Sequence, residues 1–329
     1  MNIKIFNELE IRSCVSMDHE AVAAVAEGFT ALAEGKVSLP PIIIVDVAEN
    51  HGEVDIKTAF IHGRDQFAIK VASGFFDNPA IGLPYGSGLM VLISAKTGFL
   101  EAILLDNGYL TDLRTGIAGA IAAHYLAPKN ITTAGVIGSG MQARYQIRGL
   151  KLMRSFQRLL VYGIEPGQVE CYIEEMTKEL GVEVRRCVSP EEVVRQCDFV
   201  VTTTPSRQPY LKAEWVHPGM HITCMGSDGE NKQELYADAL GRADRLVCDS
   251  KTQCFRLGEL HHALTAQVIS DNADITELGQ LTGGRRPGRQ HEREITICDL
   301  TGVGVQDTTI AMLTYKKACN KKLGVNIEV

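Results

Sequence analysis

The 329-residue sequence has no long apolar run, no excess of basic charge and no closely paired cysteines. No stretch reaches the roughly 18 consecutive apolar residues of a membrane span, so a membrane partner is not expected. The opening residues, MNIKIFNELEIR, alternate apolar and polar side chains without an apolar signal core, which predicts a cytoplasmic protein. Acidic side chains outnumber basic ones by 40 to 33, for a formal net charge of −7. Nucleic acid as a principal partner would need a phosphate-neutralising basic face, and this balance argues against one. The nine cysteines are odd in number, scattered, and never spaced C-x-x-C. They read as reduced thiols and exclude a disulfide scaffold.

What remains is a chain with 45% hydrophobic residues and 31 glycines. Its length suits about two domains. It can bury a core without disulfides or a structural metal. Residues 2–6 read as a short strand, and Ser16 as the N-cap of a helix ending at Gly35, with Asp18 and Glu20 in its first turn. After Pro40-Pro41 the chain turns strand-like, at about 54–61, 67–73, 89–94 and 100–105. An Ala-rich helix follows over 111–126. From residue 132 onward strands and helices alternate, with strands near 133–138, 158–163, 183–187, 198–203, 221–225, 245–249 and 295–299. Such alternation predicts a parallel sheet with covering helices. Residues 306–322 close the chain as a helix, with no strand expected beyond it. The basic run 283–289 reads as a solvated loop.

The glycines concentrate meaning at one place. Gly138-Ser139-Gly140-Met141-Gln142-Ala143 fits G-x-G-x-x-A, preceded by an apolar strand and followed by a helical stretch. The first glycine permits a tight turn, the second lets a pyrophosphate approach the backbone, and the small third residue allows close packing of helix on strand. The helix start then offers N–H groups and partial positive charge to phosphates. The next strand should end at the adenosine ribose. There the sequence has Gly163, with Glu165 two residues on and no adjacent Arg. A carboxylate repels a 2′-phosphate, so NAD is favoured as cofactor, with NADP left open.

Five charged residues stand out by their surroundings. Arg114 lies near the start of a helix, where the dipole disfavours a cation, so it is expected to meet either a ligand carboxylate or an internal acid such as Asp112 or Asp106. Lys70 sits within the apolar strand Phe67–Ala72 and needs an anionic partner. Asp55 and Lys57 share one face of a strand, either in a site or as an exposed ion pair. Asp228 follows the strand His221–Met225, at the end of the sheet where ligands of such folds bind, and could accept a proton. The histidines (His217, His221, His261, His262) show no ligand spacing, so no metal is expected.

Lys70 together with LTDLRTGIAGAIAAHYLAPK, GVIGSGMQA, CMGSDGENKQEL and DLTGVGVQD, in this order over nearly the whole chain, resembles the ornithine cyclodeaminase/mu-crystallin family. FFDNPAIGLP and RLGELHHA look most like the cyclodeaminase-like proteins of ectoine-utilisation gene clusters. The resemblance implies an α/β fold: a Rossmann NAD-binding domain over 121–304 and a discontinuous α+β domain, 1–120 with 305–329, for substrate binding and dimerisation. It implies that Arg114 and Lys70 grip a substrate carboxylate, that Asp228 acts on the amino group, and that Gly138, Ser139, Gly140, Met141 and Gln142 hold the cofactor phosphates. Thr115 and Lys232 match positions near cofactor and site. The implied protein is a homodimeric, NAD-dependent cyclodeaminase of a small diamino acid, ornithine or a diaminobutyrate relative. The alternatives are an imine reductase or amino-acid dehydrogenase, or a non-catalytic crystallin-like binder. Two departures stand out. Asp55 and Lys57 fall where ornithine cyclodeaminase has Glu and Met near the substrate amine. Gly163 falls where an NAD-selective Asp would stand. The extra cation disfavours a simple diamine tail and favours a substrate with another acidic or acyl group.

Overall fold

The computed structural model describes residues 2–328. Along the chain come β1 (Asn2–Asn7), α1 (Glu8–Arg12), α2 (His19–Ala33), β2 (Val37–Ser38), β3 (Ile43–Val47), β4 (Gly52–Ile61), β5 (Gln66–Phe75), β6 (Gly86–Ser94), β7 (Leu100–Leu105) and α3 (Tyr109–Leu126). Then follow β8 (Thr133–Ile137), α4 (Met141–Met153), β9 (Arg158–Tyr162), α5 (Pro166–Leu180), β10 (Glu183–Arg186), α6 (Pro190–Gln196), β11 (Phe199–Thr202) and β12 (His221–Cys224). The remainder is α7 (Ala237–Leu240), β13 (Arg245–Cys248), α8 (Lys251–Cys254), α9 (Gly258–Thr265), β14 (Ile275–Glu277), α10 (Leu278–Thr282), β15 (Thr296–Asp299), α11 (Gly304–Asn320) and β16 (Val325–Glu328). The chain divides into two compact units, residues 1–114 with 303–329, and residues 115–302.

In the first unit the sheet runs β16-β1-β7-β6-β5-β4-β2, with β3 also paired to β4. Only the β1–β7 pair is parallel. One sheet face carries Ala59, Ile61, Ala68, Met90, Leu92, Ala102 and Leu104, all buried. Helices α2 and α11 cover this face. Gly28 on α2 lets them pack closely, since a Cβ there would lie 3.0 Å from Thr309. The N-terminus of α11 is wedged onto the sheet: a Cβ at Gly304 would lie 2.3 Å from the carbonyl oxygen of Thr58. One turn on, the Thr308 hydroxyl accepts from the Ala68 N–H and donates to the Ala59 carbonyl, so the helix is stitched into the β4–β5 ladder. The opposite face presents Ile56, Phe60, Phe67, Ile69, Val71 and Val91, only half-buried in the single chain.

Two expectations change here. Asp18 rather than Ser16 caps α2, accepting from the Ala21 N–H at 2.8 Å, while the Ser16 hydroxyl donates to Asp18. A charged carboxylate at the positive helix end is the stronger cap. The chain also does not end in a helix. Beyond α11, Gly324 turns at φ +85 and β16 pairs antiparallel with β1. That strand is four residues long and half polar, so its pairing depends on an edge more than three hundred residues away in sequence and leaves no local pattern.

The second unit is an eight-stranded, wholly parallel sheet in the order β10-β9-β8-β11-β12-β15-β13-β14. Successive strands diverge to either side of β8, so the topological switch point lies between β8 and β11, where open α/β sheets bind ligands at the strands' carboxyl ends. Its core is mainly aliphatic, with Trp215, Met220 and five buried cysteines among it. The basic run 283–289 is not simply solvated. The Arg289 guanidinium donates to the carbonyls of Leu126, Met220 and Glu294 and to the Thr296 hydroxyl, closing the amino-terminal end of the sheet. Its planar fork joins carbonyls from three separate segments, a role that composition does not reveal.

Candidate functional site

Strand β8 hands over to α4 through the glycine turn. Gly138 has φ +110, and a Cβ there would lie 2.4 Å from the Thr203 hydroxyl, so only glycine fits. Gly140 is the last residue before α4, at φ −80 and ψ −166, and a Cβ there would meet nothing within 4 Å. The turn thus leaves open space before the N-terminus of α4, which no N-cap side chain covers, the arrangement a dinucleotide pyrophosphate requires. Ala143, fully buried, lets α4 lie close to the sheet. Ser139 is buried, whereas Met141 is largely exposed. Gln142 and Thr115 are joined through Gln146, whose Nε2 donates to the Thr115 carbonyl and to Gln142 Oε1.

Gly163 follows β9 directly. A Cβ there would lie 2.8 Å from Val169 and 3.0 Å from the Ser139 hydroxyl. An Asp cannot enter this spot unless Ser139 and Val169 move, which accounts for the missing acid. Glu165, exposed, is the N-cap residue just before α5, which begins at Pro166.

Asp228 lies on the loop after β12 and pairs with Lys232 at 2.7 Å. The loop is anchored from beneath by Glu234, which sequence reasoning missed. Fully buried, Glu234 accepts from the hydroxyls of Thr202, Thr204 and Tyr210 and from the N–H groups of Thr204 and Gly226. It ties the ends of β11 and β12 to the segment that carries Asp228. Burial pushes its carboxyl pKa up, and these donors oppose the rise. Glu259 in turn accepts from the N–H groups of Glu234 and Leu235. Beside it, burial raises Asp299 to about 8.

In the first unit, the covered sheet face contains a second cluster. Lys57 and Lys70 stand directly opposite each other on β4 and β5, and both are buried. Arg114, on the second turn of α3, is 5% exposed, and its Nε lies 3.0 Å from Asp307 on α11. Asp307 is fully buried, and neither of its oxygens accepts a hydrogen bond among the described residues. The contact is therefore a charge pair without an aligned hydrogen bond. Burial drives Lys70 down from 10.5 to about 7; Asp307 opposes the fall, Arg114 and Lys57 add to it, and Asp55 opposes it. Asp106, which caps α3 through the Leu110 N–H, is raised to about 6, chiefly by burial.

The structure thus groups Lys70, Lys57, Asp55 and Arg114 in one unit. Thr115, the glycine turn, Glu165, Asp228 and Lys232 belong to the other. The partner of Arg114 is Asp307, not Asp112 or Asp106. The two are 193 positions apart in sequence, a contact that only α11 folding back onto β4 and β5 creates. The sequence signal that could have found it is an acid inside the otherwise uncharged helix start GVGVQDTTI. Lys57 proves to be buried, so the exposed-strand reading of that residue is excluded. His221 lies between the Thr223 and Thr296 hydroxyls, and His262 meets the Lys232 carbonyl. Among the described residues no group of three or more His, Cys, Asp or Glu side chains is placed to hold a metal ion, and no helix is long and apolar enough to cross a membrane.

The profile described as "Ornithine cyclodeaminase/mu-crystallin family" matches residues 2–322. The chain is 46% identical to the uncharacterized cyclodeaminase y4tK of Sinorhizobium fredii, over 98% of each chain. It is 36% identical to the alanine dehydrogenase of Archaeoglobus fulgidus, over 100% of this chain and 99% of the other. It is 32% identical to the iminosuccinate reductase of Paracoccus denitrificans, over 94% of each. Among solved structures, Δ1-pyrroline-2-carboxylate reductase of Thermococcus litoralis, in complex with NADH and L-proline, superimposes with a TM-score of 0.93 at 30% identity. The match covers 99% of this chain and 100% of that one. An archaeal alanine dehydrogenase dimer with bound NAD gives a TM-score of 0.91 at 35% identity, covering 100% and 99%. The matching profile, the full-length relatives and the shared two-sheet fold all agree, and the chain belongs to the ornithine cyclodeaminase/mu-crystallin family.

Proposed function

We propose that this protein is an NAD-dependent enzyme that interconverts a small α-imino acid and its α-amino acid. The observation that carries this reading is the buried cluster on β4, β5 and α3, where Arg114 is paired to Asp307 and Lys70 titrates near neutrality. A guanidinium held at one edge by Asp307 keeps its remaining N–H groups for a carboxylate, which its planar fork fits bidentately. Lys70, close to half-protonated at neutral pH, can hold or give up a proton within the same buried surroundings. Asp228 is proposed as the proton acceptor at the substrate nitrogen, with Lys232 keeping a positive charge beside it.

The glycine turn fits a dinucleotide, because Gly138 is obligatory and the space before Gly140 is open. Gly138 to Gln142 would hold the phosphates, with Thr115 and Lys232 nearby and Glu165 towards the adenosine ribose. NAD, when bound, supplies the hydride acceptor and donor for the substrate Cα. The structurally similar pyrroline-carboxylate reductase and alanine dehydrogenase are in complex with NADH and with NAD, which supports NAD here. The half-exposed apolar face of the first sheet supports a homodimer, as does the dimeric alanine dehydrogenase.

A second reading, cyclodeamination of ornithine or a diaminobutyrate-related diamino acid, is favoured by Asp55 beside Lys57, which offers a carboxylate to a terminal amine. The similarity to the uncharacterized cyclodeaminase y4tK supports it too. A panel of amino, diamino and imino acids with NAD(H) and NADP(H), followed by reduced-nicotinamide absorbance and ammonia together, tests both. A stoichiometric change in reduced nicotinamide is expected. Ammonia release without net change in it would establish cyclodeamination instead. Asp228→Asn should abolish turnover, and unchanged turnover would sink its assignment.

A further inference from the structure

The loop that carries Asp228 is fixed at its base and exposed at its tip. On the outgoing side Glu234 accepts from the Gly226 N–H, and Ser227 beyond it is buried. The tip, from Asp228 to Asn231, is mostly exposed. The chain returns at Lys232, whose N–H donates to the Gly229 carbonyl and whose ammonium pairs with Asp228. The Lys232 carbonyl accepts from the Ser227 hydroxyl, which closes the loop on itself. The same carbonyl lies 2.8 Å from Nε2 of His262, 30 positions further along the chain on α9. Glu259 and His262 stand three residues apart on one face of that helix. Glu259 accepts from the Glu234 and Leu235 N–H groups, so one turn of α9 grips three backbone groups of the returning segment. The helix is itself tied to the sheet, because Asp299 at the end of β15 accepts from the Leu260 N–H at 2.9 Å. A carbonyl oxygen can only accept, so the His262 proton sits on Nε2. Burial lowers the pKa of this ring and keeps it neutral at pH 7.

Resting on the reading of Asp228 as the proton acceptor, we propose that His262 is a positioning residue for the reaction. Its Nε2–H holds the Lys232 carbonyl and so fixes the Asp228–Lys232 pair at the carboxyl end of β12. The exposed tip has little packing of its own to set where Asp228 points. A proton acceptor has to be held to a fraction of an ångström, and a misplacement of about 1 Å costs about 100-fold in rate. The Ser227 hydroxyl cannot supply that restraint alone, since it belongs to the same loop and moves with it. The bond from His262 instead refers the loop to α9 and, through Asp299, to the sheet. Among the described residues no metal-binding group competes for this histidine.

The test uses the full-length protein as wild type, His262→Leu, His262→Gln and Asp228→Asn. Leucine keeps apolar bulk on α9 and offers no donor, whereas the glutamine amide places an N–H close to the position of Nε2. Oxidation of L-alanine, L-proline, L-aspartate and L-ornithine with NAD is followed by reduced-nicotinamide absorbance. Hydrogen exchange of the peptide spanning residues 226–235 is followed by mass spectrometry. His262→Leu should lower kcat at least about tenfold while KM for the amino acid stays within about twofold, because the carboxylate is gripped elsewhere. Exchange in the 226–235 peptide should quicken in the same variant. His262→Gln should recover most of both. A purely structural histidine would lower Tm in His262→Leu and leave the kcat of the folded enzyme at the wild-type value. That result, unchanged exchange in His262→Leu, or a glutamine variant no better than the leucine one would overturn the positioning role. Loss of turnover in Asp228→Asn alongside any of these leaves the underlying reading of Asp228 intact. Full turnover in Asp228→Asn, or none of the four amino acids oxidised by the wild type, overturns that reading and the catalytic role of His262 with it.

Discussion

Replacing Lys70 by Met should change how stability depends on pH in a direction fixed by the structure. Lys70 is 2% exposed, and burial lowers its pKa from 10.5 to about 7. A lowered lysine pKa means that the unfolded chain binds more protons than the native one between these two values. The penalty is complete below about pH 7 and disappears as pH rises towards 10.5. Its full size is roughly 5 kcal/mol, since each unit corresponds to about 1.36 kcal/mol. Between pH 7 and pH 9 about 2 kcal/mol of it should be relieved. The Met variant lacks this titration. Asp106 and Asp299, both raised by burial, shift stability the opposite way but equally in both proteins, and so cancel from the difference. Urea unfolding followed by far-UV circular dichroism at the two pH values measures that difference. Tryptophan fluorescence is the wrong probe, because the single tryptophan, Trp215, lies in the second unit. Wild-type stability minus variant stability should rise by about 2 kcal/mol. A difference that stays level, or falls, would refute the assignment of a destabilised charge to Lys70.

Three further outcomes follow from the same contacts. Asp307→Asn leaves Arg114 buried without its anion, so it should cost about 3 kcal/mol in chemical denaturation. It should also move the onset of Lys70 modification by an amine reagent to lower pH, because Asp307 is the leading charge that raises Lys70. Gly140→Ala meets no atom within 4 Å, so Tm should hold while NAD affinity, read by calorimetry, falls at least about tenfold as the added methyl group blocks the pyrophosphate. Gly138→Ala, in contrast, should lower both. Glu234→Ala strands five donors at the ends of β11 and β12 and should destabilise the second unit by about 3 kcal/mol or more, read by Trp215 fluorescence during unfolding.

Much of the second unit was legible because its signals are local. The alternation of short apolar strands with helices predicts a parallel sheet. The turn from Gly138 to Ala143 shows its purpose in sequence because each glycine answers a backbone need within six residues. The three-residue strand β14 escaped, being too short to show a period. The first unit was harder to read. Its strands β4 to β7 carry alternation, yet β2 and β3 flank two prolines and β16 is polar, so their pairing depends on distant partners. Lys70 and Arg114 were conspicuous as charges in apolar company. Asp307 and Glu234 were not, since a carboxylate in a chain with 40 acidic residues attracts no notice until it is seen to be buried.

The sequence by itself determined the family, the dinucleotide turn and the identity of the odd cations, because these depend on residue type and on spacing within one or two turns of chain. Only the tertiary structure decided which anion faces Arg114, that Lys57 lies buried opposite Lys70, and that Gly163 is glycine because Ser139 and Val169 fill the space beside it. Burial and the approach of charges from distant segments set those facts, and neither is written in any local stretch of the chain.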